Sequence, residues 1–141
     1  MNNFCKLVVL GVGLLALGST GLSGQTKLAP SATVPAVDGV IANKEYAWLS
    51  GGNSIALGLA LSADGQTLYA ALSAPTTGWV AVGLGSLRMN KSFMVMGFDN
   101  GTSNFTEAVG IGQRHNQASQ KLVSAVVAKK AGSQTTLEFS I

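Results

Sequence analysis

Cysteine is nearly absent: the 141-residue chain has one, Cys5. It stands before the first apolar run, so a chain processed behind that run would carry neither disulfide nor thiolate ligand. Histidine is equally scarce, with His115 alone. No cysteine nucleophile can pair with it, and no Gly-x-Ser-x-Gly elbow occurs. Carboxylates are few and scattered, with Asp64, Asp99 and Glu107 in or near expected turns. They offer no supported glycosidase pair. No glycine-rich phosphate loop follows a strand and opens a helix, and Gly83-Leu84-Gly85 reads as a turn. Basic residues are spread along the chain apart from Lys129–Lys130, without the aromatic interleaving of a nucleic-acid surface.

What is present begins with a leader. Met1–Lys6 carries one lysine and no acid, Leu7–Leu17 is a continuous apolar run, and Gly18–Gly24 is small and polar. That is the layout of a secretory signal peptide, too short for a comfortable membrane span. A retained anchor is the alternative. The reading is a signal over 1–24, a linker over 25–36 and one domain over 37–141. Without Lys6 the net charge falls from +3 to +2. Residues 25–35, rich in Ala, Thr, Ser and Pro, are expected to be extended or disordered.

From there short apolar segments alternate with turn signals, and no helix is indicated. Strands are expected at Ser54–Leu61, Thr67–Ala74, Gly78–Leu84, Ser92–Phe98, Phe105–Ile111, Leu122–Ala128 and Gln134–Ile141. Glycine, proline, asparagine and aspartate clusters separate most of them. The fold class is all-β, an antiparallel sandwich or barrel. Val80, Val82 and Leu84 share one strand face, with Trp79, Ala81 and Gly83 on the other. Trp79 reads as a core anchor, or as a ring with room beside it for something flat. Phe93–Phe98 is apolar on both faces, as for a central strand covered on both sides.

Two features carry chemistry. Asp38-Gly39-Val40-Ile41 followed by Glu45-Tyr46 reads as a tight turn with an aromatic lid, the alternative being a calcium or ligand site. Glu45-Tyr46 could begin the first strand. Further on, residues 78–98 form two apolar segments joined by a polar turn that presents Met89. With His115, expected in a second polar turn, it makes a thioether–imidazole pair of the kind that can hold a haem iron.

The stretches Asp38–Ile41, Glu45-Tyr46, Leu68–Leu72, Thr77-Gly78-Trp79-Val80-Ala81-Val82-Gly83-Leu84-Gly85, Met89 and Leu137-Glu138-Phe139-Ser140 together resemble a DOMON domain. The resemblance implies an immunoglobulin-like antiparallel β-sandwich outside the cytoplasm, secreted or periplasmic, binding b-type haem or a sugar. It is similar to the cytochrome domain of cellobiose dehydrogenase, which implies Met89 and His115 as axial ligands. The chain has no Cys-x-x-Cys-His, so the haem would be non-covalent. Trp79, Phe93, Met94, Met96 and Phe98 are available to line its pocket. Arg88, Lys91 and Arg114 could pair with its propionates. Such a domain is not itself an enzyme. It would pass electrons to a redox partner protein or a membrane carrier. The alternatives are a carbohydrate-binding module using Trp79, Tyr46 or Trp48 as a stacking platform, and a ligand-free adhesion sandwich. Ser92-Phe93 stands where the family often has a small residue and aspartate, and Asn116-Gln117 where it often has proline and an acid. Family domains also continue past the Leu-Glu-Phe-Ser strand, which implies an incomplete C-terminus with an unpaired strand edge.

Overall fold

A computed structural model describes residues 27–52 and 55–141, with side chains described for 27–47 and 55–141. The expected leader lies outside the described residues. Nine strands follow in chain order: β1 Trp48–Gly52, β2 Ile55–Leu61, β3 Leu68–Ala74, β4 Val80–Leu84, β5 Phe93–Asp99, β6 Ser103–Ile111, β7 Arg114–Gln117, β8 Ala125–Ala131 and β9 Gln134–Ser140. They form an antiparallel β-sandwich of two sheets, ordered β1-β2-β3-β9-β8 and β4-β5-β6-β7. The all-β class expected from the spacing of turns is the class observed.

Period-two alternation builds the core between the sheets. Leu59, Leu68, Ala70, Leu137, Phe139 and Ala128 face inward from the first sheet, and Val80, Val82, Leu84, Phe93 and Val95 from the second. Gly97 lets the sheets close. A Cβ there would lie 2.6 Å from Leu137 Cδ1 and 3.1 Å from Ala128 Cβ. β5 is central in its sheet, as its two apolar faces suggest, but only its first half is covered on both sides, and Phe98 is exposed.

The sheets are also tied by polar contacts. The β3–β4 crossing is held by Thr135, whose hydroxyl lies 2.7 Å from the Thr76 carbonyl and 3.1 Å from that of Gly78. At the β8 edge, Ala128 N donates to Ser103 Oγ at 2.8 Å and Lys130 N to Asp99 Oδ2 at 2.9 Å. Those groups would otherwise be an open template for strand addition. β9, which holds the Leu-Glu-Phe-Ser stretch, lies between β3 and β8 and is paired on both sides.

Several expectations are displaced. β1 and β7 were not legible as strands, and β8 runs three residues later than the apolar pattern indicates. Its second half, Lys129-Lys130-Ala131, is polar because it is an exposed edge. Glu45-Tyr46 does not begin a strand, which starts at Trp48. His115 is not in a turn but in β7. Trp79 is not a core anchor, being 67% exposed just ahead of β4. The described part of the linker is held rather than free. Leu28 packs on the core, Ser31 N donates to Leu61 O at 2.8 Å, and Pro35 is buried.

Candidate functional site

The connection from β4 to β5 folds back over β6. Ser92 N donates to Met89 O at 3.1 Å, closing a four-residue turn. Lys91 sits third in that turn with φ of 66°. Gly110 O accepts from Lys91 N, and Gly110 N donates to Ser92 O, both at 2.9 Å. Two residues therefore oppose one, which is a β-bulge. It lays the Met89 backbone directly on Gly110, where a Cβ would stand 1.6 Å from the Met89 carbonyl oxygen and 3.3 Å from its Cγ. Only glycine allows this approach. Asn90 Oδ1 then accepts from Gly112 N at 2.9 Å, joining the loop to the β6–β7 turn.

His115 is the cross-strand partner of Gly110. Partners in an antiparallel ladder share a face, so His115 stands on the face that Met89 covers. The next row on that face is Gly83, Met94, Ala108 and Gln117, and the one beyond holds Ala81, Met96 and Thr106. Met94 and Ala108 are buried and Met96 half-buried, while Phe93 belongs to the core between the sheets. Met89 is 48% exposed and His115 is exposed. Arg88 and Lys91 are exposed in the same loop as Met89, while Arg114, also exposed, pairs with Ile111 on the other face of the ladder, and the stretch has no acids.

Trp79 is not part of this group. Val80 pairs with Gly97, so Trp79 and Phe98 lie one step beyond, toward the far end of the sheet. Phe98 stands six positions along from Ser92, about 20 Å at strand spacing. Trp79 therefore cannot line a pocket shared with Met89, and with Phe98 it forms a separate exposed aromatic pair.

A second buried polar centre lies on the outer face of the five-stranded sheet. Glu138, fully buried, accepts from three successive backbone N–H groups through Oε2: Asp38 at 3.1 Å, Gly39 at 2.6 Å and Val40 at 3.1 Å. Its Oε1 accepts from Tyr46 Oη at 2.7 Å. Tyr46 lies against Gly58, where a Cβ would be 2.7 Å from the ring. Burial, then the bond to Glu138, holds its phenol well above the usual range, so it stays a donor. Asp38 Oδ1 accepts from Val40 N at 2.9 Å, and Glu45 accepts from Ala36 N and Ala42 N at 2.8 and 2.7 Å. The Asp-Gly segment is thus a turn with an aromatic lid. Tyr46, buried, is no stacking platform, and the Trp48 side chain lies outside the described residues.

Glu107 is the other buried acid. Burial raises its pKa, but the N–H groups of Val123 and Leu122 and the Lys121 ammonium outweigh that, leaving it below the usual carboxylate range. Both amides lie 2.7 Å from Oε1, and Lys121 Nζ is 3.4 Å from Oε2. Neither Glu138 nor Glu107 stood out in sequence as a polar anchor. The available signal was an acid alternating with apolar residues inside a strand.

No family model, curated protein or solved structure matches this chain.

Proposed function

We propose that this protein binds b-type haem between Met89 and His115 and serves as an extracytoplasmic electron-transfer domain of the DOMON type. One observation carries the reading: the only histidine stands beside Gly110, the residue on which Met89 is stacked. The two lie 26 positions apart in sequence. Gly110 is what they share: the β4–β5 loop lays Met89 on it, and His115 is its cross-strand partner.

The surrounding residues suit the group. Met94 and Ala108, buried, and Met96, half-buried, make the same face apolar beside Gly83. Arg88 and Lys91 are free to meet propionates in charge-assisted hydrogen bonds. Bound haem would supply one-electron redox chemistry. The Met89 thioether and the His115 imidazole would hold the iron, and a thioether ligand would raise its potential. The redox partner would be a protein or a membrane electron carrier.

The test is haem titration followed by the visible spectrum. A six-coordinate low-spin spectrum in the wild type, lost in Met89→Ala and in His115→Ala, supports the proposal. No haem uptake by the folded protein overturns it.

A glycan-binding role is the second reading, and the exposed Trp79–Phe98 pair favours it. Sugar rings stack on such surfaces through their C–H faces. Retention on polysaccharide that Trp79→Ala abolishes and His115→Ala leaves unchanged would support this role over haem binding.

A further inference from the structure

The bulge that brings Met89 to Gly110 also builds a tip. Asn90 Oδ1 accepts from Gly112 N, joining the β4–β5 loop to the β6–β7 turn. Leu87 is 66% exposed there, Ile111 56% and Met89 48%. Large aliphatic side chains at loop ends lack a packing role. Arg88, Lys91 and Arg114 alternate with them along the same two segments. No acid lies within 85–92 or 110–117. The nearest in sequence, Glu107, is buried and satisfied by Lys121 and two amides. These two segments are therefore basic and carry exposed aliphatic groups, and Asp64 in the β2–β3 turn, the acid that strand direction places at the same end, is held by Ser62 and Gln66.

We infer that this tip docks on an anionic lipid surface. Cations meet the headgroups, and Leu87 and Ile111 enter the boundary between headgroup and acyl chain. An acidic protein face would satisfy the cations equally well. It would leave unexplained why Leu87 in the β4–β5 loop and Ile111 at the end of β6 are large aliphatic groups left exposed among those cations. The inference does not rest on the haem reading, since Leu87 and Ile111 have no part in it and the test needs no haem.

The experiment is co-sedimentation of the full chain with phosphatidylcholine vesicles, with and without a third of phosphatidylglycerol. All variants share residues 1–26, so differences among them report the tip. The wild type should partition onto the anionic vesicles and be released by salt. Arg88→Gln/Lys91→Gly/Arg114→Gln should weaken binding about a hundredfold, at roughly fivefold per cation near the surface. Leu87→Ser/Ile111→Ser should also weaken it while leaving the salt dependence unchanged. Equal binding to both vesicles overturns the inference. So does full binding by the aliphatic variant, which would show adsorption by charge alone, without Leu87 and Ile111 entering the lipid. Circular dichroism of each variant confirms that the sandwich is intact.

Discussion

Replacing Glu138 by glutamine should destabilise the fold far more than its near-identical volume suggests. The carboxylate satisfies four donors, three on Oε2 and the Tyr46 hydroxyl on Oε1. Glutamine has one acceptor oxygen, so its amide nitrogen must face either the three amides or the phenol. Hydrogen bonds to a charged group contribute about 1.5–3 kcal/mol each, and a buried donor left unmatched costs about 1–3 kcal/mol. Asp38 N and Val40 N are partly accessible and can turn to water, whereas Gly39 and Tyr46 are buried. One buried donor lost plus weakening of the rest gives about 2–4 kcal/mol. Tyr46→Phe removes a single bond and should cost about 1–2 kcal/mol. The double variant should cost less than the sum, by roughly 0.5–3 kcal/mol, because both changes break one network. Urea unfolding followed by far-ultraviolet circular dichroism reads these differences as midpoint shifts. If Glu138→Gln moves the midpoint no more than an exposed substitution does, or the two changes add, the carboxylate is not what fastens residues 36–46 to the sheet.

Three further outcomes follow from the same geometry. Gly110→Ala should displace the β4–β5 loop, because the new methyl would collide with the Met89 carbonyl, and should cost about 2–4 kcal/mol in thermal or urea unfolding. Lys91→Gly should stabilise the protein by about 0.5–1 kcal/mol, since lysine is held at a φ of 66° that favours glycine, with part of the gain offset by unfolded-state entropy. Glu107 is held below the ordinary carboxylate range, so the folded state binds fewer protons there than the unfolded chain. Its contribution is complete above the unfolded value and is lost as pH falls through the lower folded one. Urea midpoints of Glu107→Gln should fall short of wild type at neutral pH and converge with it on acidification into that window.

Alternation in Val80–Leu84 was enough to assign a strand and group Val80, Val82 and Leu84 on one face, because side-chain period follows from strand geometry alone; which face is inner was left to the structure. β7 was opaque for the same reason. Arg114-His115-Asn116-Gln117 is exposed throughout and carries no apolar alternation. Trp79 misled because a large aromatic in an apolar stretch usually packs inward, whereas here it precedes the strand and faces solvent. The Asp38–Tyr46 motif was recognisable as a turn with a lid. Its anchor was not, since Glu138 lies about a hundred residues away.

Scarcity of cysteine and histidine, the turn spacing and the strand periodicity determined the fold class and left Met89 and His115 as the candidate pair. These are properties of composition and local backbone preference, which the chain carries before it folds. Only the tertiary structure decided that Met89 lies on Gly110 beside His115, that Trp79 stands at the other end of the sheet, and that Arg88, Lys91 and Arg114 share one tip. Those outcomes depend on a bulge, a glycine without a Cβ and one asparagine hydrogen bond between turns. Each is a contact between segments distant in sequence, and no local pattern encodes it.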